Sequence, residues 1–123
     1  MNTRLFPKPI RFLFVFLWLL TTPVMALEDS EIAEFLTASR IIGNQNGVEW
    51  NQTFRKNGTT TYSQVAGRPS PPSDGLWRIS NGQYCSQWPP SSHWECYDVT
   101  INGNEIVFYP KGGGEPWPAV QDN

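Results

Sequence analysis

The 123-residue sequence has one histidine, His93, and only two cysteines, Cys85 and Cys96. That scarcity removes several chemistries. A closed zinc site takes four ligands drawn mainly from cysteine and histidine, so no metal site and no cofactor is expected. No Cys-x-x-Cys occurs, and with it goes the dithiol redox motif. No Gly-x-Ser-x-Gly elbow is present to expose a serine nucleophile. Gly112-Gly113-Gly114 follows Lys111 with no helix pattern after it, which is the wrong order for a phosphate-cradling loop. The longest unbroken apolar run is Phe12 to Leu20, about half of what a membrane-spanning helix needs. Basic runs are also missing, which argues against nucleic acid or an anionic membrane surface as a partner.

What is present begins with a leader. Arg4, Lys8 and Arg11 precede the apolar run, Thr21-Thr22-Pro23 ends it, and Val24-Met25-Ala26 follows. This is the pattern of a secretory signal peptide, with cleavage expected after Ala26. Position 27 is leucine, so a lipid-modified cysteine is not indicated, and no stable membrane anchor is expected after cleavage. Residues 27–123 are then one small domain, expected to be monomeric and periplasmic or secreted. Of the nine Lys and Arg, three leave with the leader; six remain against all eleven Asp and Glu, a formal charge of −5. Modest acidity of this kind keeps a small protein soluble. In an oxidising compartment the two cysteines are expected to pair.

Leu27 to Ser39 predicts a short helix. Asp29 and Ser30 are candidate N-caps, Glu31 and Glu34 suit the positive end of the dipole, and Ile32, Phe35 and Leu36 form one apolar stripe. So short a helix is marginal alone and should dock its stripe on an end or face of a sheet. Beyond it the hydrophobic period falls to two. Arg40–Gly43, Val48–Arg55, Thr59–Val65, Leu76–Ser80, Gln83–Trp88, His93–Ile101 and Glu105–Tyr109 read as strands. Asn46-Gly47, Asn57-Gly58, Asn81-Gly82 and Asn102-Gly103 punctuate them, and such pairs tolerate the positive φ of tight hairpin turns. Gly67 to Asp74 is a loop, in which Arg68-Pro69-Ser70-Pro71-Pro72 reads as a rigid surface segment, with a polyproline ligand as the rival. Pro110 to Pro118 reads as a loop with at most one last short pairing. The fold class is mainly β (α+β): a short N-terminal helix, then an antiparallel meander of about seven strands curled into a barrel or half-barrel.

The stretch Gly75 to Ile101 carries the most specific expectation. A two-residue turn at Asn81-Gly82 sets Ile79 opposite Tyr84 and Trp77 opposite Ser86. A four-residue loop, Pro89 to Ser92, sets Trp88 opposite His93, Tyr84 opposite Tyr97 and Cys85 opposite Cys96. Turn geometry alone therefore brings the two cysteines together on adjacent strands. Cross-strand partners share a face, so Trp77, Ile79, Tyr84, Trp88 and Tyr97 lie on one side, with Trp94 and Cys96 on the other.

Aromatic residues are the resource of this chain. Residues 27–123 retain five tryptophans, at 50, 77, 88, 94 and 117. Those facing inward fill a core, and any group left less buried offers a rigid recognition surface; Trp94, Trp88, Tyr97 and His93 are the candidates. The plainer reading of Trp94 packs it against the disulfide. His93 and Glu95 share a strand face and allow an acid–base pair, although a hairpin-end histidine beside prolines is usually a surface residue. No residue is assigned a catalytic role.

The leader, the helix, the Asn-Gly hairpin, Gly75-Leu76-Trp77-Arg78-Ile79, Tyr84-Cys85 with Trp88, and Cys96-Tyr97 together resemble a family of small exported bacterial proteins known only as a domain of unknown function (the nine-nine-five type). The resemblance covers most of residues 27–123 and implies a periplasmic or secreted β-rich domain without an assigned activity. The function expected is a non-enzymatic binding or inhibitory module acting on a protein or small ligand in the envelope or outside the cell. A small hydrolase using His93, and a small-ligand carrier of half-barrel type, are the alternatives. Mass spectrometry of the protein exported by its native host should give a chain beginning at Leu27; an intact Met1 in the membrane fraction would contradict the leader.

Overall fold

A computed structural model describes residues 27–66 and 70–123. The leader, and the part of the proline loop at 67–69, lie outside the described residues. One helix, α1 (Asp29–Ala38), precedes eight strands: β1 (Ile41–Gln45), β2 (Val48–Phe54), β3 (Thr59–Ala66), β4 (Ser73–Ser80), β5 (Gln83–Gln87), β6 (Trp94–Asn102), β7 (Glu105–Pro110) and β8 (Trp117–Gln121). Each strand pairs antiparallel with the next, and β1 pairs with β8, so the meander closes into a barrel. The eighth strand is the short pairing at the end of the segment read as a loop. Pro118 stands within it, opposite Val107. Strand β4 also starts at Ser73, inside the segment read as a loop and three residues before the Leu76 at which the sequence suggests it. Closure matters because it leaves neither β1 nor β8 with an unpaired edge.

The hairpins follow their turn chemistry. Asn46-Gly47 and Asn81-Gly82 both carry positive φ at each residue, as a type I′ turn requires. In the β6–β7 turn the central pair is Gly103-Asn104, since Asn102 pairs with Glu105. The register of β4, β5 and β6 is the one expected from the turns: Ile79 opposite Tyr84, Trp77 opposite Ser86, Tyr84 opposite Tyr97, and Cys85 opposite Cys96. Cys85 and Cys96 form a disulfide across β5 and β6, with Cα atoms 4.0 Å apart. The ladder between these strands ends at Gln87 and Trp94.

Helix α1 closes one end of the barrel. Its stripe of Ile32, Phe35 and Leu36 is buried and joins Ile41, Phe54, Trp77 and Ile106 in the core. Ile32 and Leu36 are fully inaccessible, and such burial contributes about 1.5–3 kcal/mol per side chain. The N-cap is Glu28, one residue ahead of Asp29 and two ahead of Ser30, the caps the sequence suggests. Its backbone N–H donates to Glu31 Oε1 at 2.9 Å. Asp29 is engaged elsewhere, accepting from Gly82 N at 2.7 Å, which ties the helix to the β4–β5 turn. At the other side of the same end, Gln121 Nε2 donates to Phe35 O at 3.0 Å. None of the described helices is long and apolar enough to cross a membrane.

The disulfide closes a short loop, and in the chain-entropy account such a loop contributes about 2–3 kcal/mol by restricting the unfolded chain. Replacing both Cys85 and Cys96 by alanine should lower unfolding free energy by that amount, read as a reduced urea midpoint, with the barrel's far-ultraviolet signature retained below the transition.

Candidate functional site

The end of the barrel opposite α1 holds a cup of about 400 Å³. Period-two alternation supplies its walls. Trp50 and Gln52 come from β2, Tyr62 from β3, Tyr84 and Ser86 from β5, Tyr97 from β6, Phe108 from β7 and Trp117 from β8. Trp88 and Pro89, at the start of the β5–β6 loop, and Ser73 and Asp74, at the start of β4, form the rim. Seven of the twelve lining residues are aromatic, so the lining is chiefly ring faces and edges.

Eight-stranded barrels are narrow enough for side chains to fill them. Here two tryptophans lie back against the wall because each rests on a glycine. Gly43 pairs with Trp50 across β1 and β2. A Cβ at Gly43 would meet the Trp50 ring at 2.3 Å, and one at Gly75 would meet Trp88 Cε3 at 2.6 Å. Both glycines are required by close approach. The rings pack on with one another: Trp50 stacks on Tyr62 at 5.8 Å, meets Trp117 edge-on at 5.9 Å, and Tyr62 meets Trp88 edge-on at 6.2 Å. The geometry has one evident cost, for Trp50 Nε1 is buried without a hydrogen-bond partner.

A polar belt forms the floor. Gln52 Nε2 donates to Thr60 Oγ1 at 2.9 Å and to Tyr84 OH at 3.3 Å, Thr60 Oγ1 donates to Thr53 O at 2.8 Å, and Trp88 Nε1 donates to Ser86 Oγ at 3.2 Å. Below the belt, Tyr84 meets Phe54 edge-on at 5.7 Å, and Phe54 meets Trp77 at 5.5 Å. The belt thus separates a buried core, sealed by α1, from the cup above it. Burial pushes the Tyr84 hydroxyl well above its ordinary value, outweighing its bonds to Ser86 and Gln52. Burial also raises Tyr97, and the nearby Glu95 carboxylate raises it further. Glu95 pairs with Ser86, which gives it the inward register, yet it is exposed and stands at the mouth.

The four aromatic and histidine candidates divide. Trp88 and Tyr97 line the cup. Trp94 lies on the outer face with Cys96, and the Arg78 guanidinium sits 4.0 Å above its ring. His93 is exposed, does not line the cup, and its backbone N–H donates to Ser91 Oγ at 3.1 Å. The fold further recruits Trp50, Tyr62 and Trp117, which sequence reasoning did not single out. Trp50 and Tyr62 lie in segments read as strands, but their height along the barrel was not readable, and Trp117 lies in a segment read as a loop. Among the described residues, no group of three or more His, Cys, Asp or Glu is arranged to hold a metal. No protein-family model matches the chain, and no curated protein matches it.

The buried tyrosine makes alkaline stability informative. Below the ordinary phenol value of 10.0, folded and unfolded chains hold the same Tyr84 proton. Above it the unfolded chain releases that proton while the folded barrel retains it, so stability falls as pH rises past that value. Tyr84→Phe should flatten the fall of the denaturation midpoint between about pH 10 and pH 12; an unchanged slope would show that other groups govern alkaline unfolding.

Proposed function

We propose that this protein is a non-enzymatic binding module, and that it works as a small-ligand carrier through the open end of its barrel, outside the cytoplasm. One observation carries the reading: a cup of about 400 Å³ lined by seven aromatic side chains, kept open by tryptophans seated on Gly43 and Gly75. Small-molecule sites fall at about 300–1,000 Å³, are mainly apolar, and carry a few fixed polar groups; the Gln52–Tyr84–Ser86 floor supplies those groups. A core built for stability alone would have filled this space, since interiors pack densely. Export is supported by the leader pattern of residues 1–26 and by the Cys85–Cys96 disulfide, which suits an oxidising compartment. The hydrolase alternative rests on His93, which is exposed and does not line the cup.

Titration with the neutral dye N-phenyl-1-naphthylamine should give saturable fluorescence enhancement at one site per chain. Gly43→Ala forces the Trp50 ring into the lumen and should weaken that binding by at least about tenfold, equivalent to 1.4 kcal/mol. His93→Ala and Trp94→Ala should leave it unchanged. Absence of saturable binding, or equal loss in His93→Ala, would overturn the carrier reading.

A further inference from the structure

We propose that the cup selects organic cations, with an alkylated ammonium group held against the ring faces and the Glu95 carboxylate at the mouth. The inference rests on the cup being the binding site. Three features of the structure converge on it. First, ring faces are the negative side of an aromatic quadrupole, and a cation within about 6 Å of a ring centroid is attracted to it. Trp50, Tyr62, Trp88 and Trp117 form a continuous wall of such rings, each within 5.8–6.2 Å of a neighbour. A ligand entering the lumen meets several rings at once.

Second, none of the described residues lining the cup is a cation: no Lys, Arg or His occurs among them, and Asp74 is the one ionisable acid there. The Asp74 carboxylate is on the outward register opposite Thr61, where it accepts from Thr61 Oγ1 at 2.8 Å and Arg55 donates to the same hydroxyl at 2.7 Å, so it is engaged outside the lumen. Glu95 adds a second carboxylate, on the inward register opposite Ser86 and close enough to act on the Tyr97 hydroxyl. An anionic ligand such as a fatty acid would bury its carboxylate without a counter-charge, which is costly. An ammonium ligand would exchange its hydration for ring faces and a carboxylate.

Third, the outer wall shows the same interaction already satisfied. Trp94 has Arg78 over its face at 4.0 Å. Inside the barrel the rings have no such partner from the described lining residues, although the walls are richer in them. The cup is therefore the place where a cation from outside would find unoccupied aromatic surface.

The test compares benzyltrimethylammonium with its neutral isostere neopentylbenzene and with the anion phenylacetate, each followed by intrinsic tryptophan fluorescence and by displacement of N-phenyl-1-naphthylamine. The cation should bind about tenfold more tightly than the isostere, and phenylacetate should bind least. Glu95→Gln should weaken the cation by roughly threefold, with a loss that shrinks as salt rises, and should leave the isostere unchanged. Should the dye and the isostere bind as well as the cation or better, the cation inference fails and the carrier reading stands. Should phenylacetate bind tightest, the charge argument is wrong outright. If none of the four compounds binds, the carrier reading fails and the inference fails with it.

Discussion

The pairing of β1 with β8 is the constraint on which the remaining structure depends. Three register pairs, from Ile41–Gln121 to Gly43–Ala119, join the first strand to the last. Without them the meander would be an open sheet with two exposed edges and one wet face. With them, every inward residue faces a common axis, and the question becomes how that axis is filled. The same junction anchors α1. Asp122 N donates to Arg40 O at 2.8 Å, the Arg40 and Asp122 side chains pair, and Gln121 reaches Phe35 O. The exposed ion pair contributes little alone, but it sits where the helix must turn into the first strand. Closure and capping are thus parts of one event in which the ends of residues 27–123 meet.

The barrel axis is filled unevenly, and that unevenness separates stability from function. Near α1 the interior is filled, with Ile32, Leu36, Ile41 and Ile106 at 0% exposure packed beside Phe35, Phe54 and Trp77. Near the mouth it is aromatic and unfilled. Between them lies the Thr60–Gln52–Tyr84 belt, whose buried polar atoms are costly unless bonded; here they bond to one another. The belt fixes the angle of Tyr84, and Tyr84 in turn packs on Tyr97 at 5.6 Å and on Phe108 at 5.1 Å. A polar layer inside a small barrel thus serves as a rigid floor. Two costs accompany the open cup: glycines in strands β1 and β4, which weaken them, and the unpaired Trp50 Nε1. Neither is explained by packing for stability.

Much of this was legible in the sequence, for reasons that can be named. Asn-Gly turns are local, so each fixes a hairpin without reference to the remainder of the fold. Two successive turns then fix a register across three strands, which is why Cys85 and Cys96 were brought together by counting alone. The helix stripe was legible for the same reason, since its spacing is local. Its N-cap was misplaced by one residue because Asp29 is used in a tertiary contact with Gly82, and tertiary use does not leave a local trace. Strand β8 was obscured by Pro118 and by the glycines before it. Proline is barred from central ladders but tolerated where its missing donor is not needed, and that exception depends on the pairing to β7. The cup was the least legible feature. Alternation sets Trp88 and Tyr97 on one face and places Trp50 in a strand, but it is silent on whether inward rings meet in the middle or lie against the wall. Gly43 and Gly75 decide that, and each gains its meaning only from the tryptophan that rests on it, Trp50 across the β1–β2 ladder and Trp88 just past the end of β5.

The disulfide can be placed in the same scheme. It joins β5 and β6 on the outer face, and the inward neighbours of its two cysteines are Tyr84 and Ser86 on one strand and Glu95 and Tyr97 on the other. Those four residues belong to the floor, one wall and the mouth. The β5–β6 connection that follows carries Trp88, whose ring leans on Gly75 of β4. A hairpin free to splay at this point would carry Trp88 away from Tyr62 and break the ring wall at the mouth. Locking β5 to β6 one turn of the pleat below that point restrains the splay. The staple's contribution to global stability acts through the unfolded chain, whereas its contribution to the cup acts in the folded state, by holding the two strands that bear the rim. These effects are separable in principle, because a barrel stabilised elsewhere would recover the first and not the second. The position of the disulfide beside the mouth, and not beside α1, is what the second effect requires.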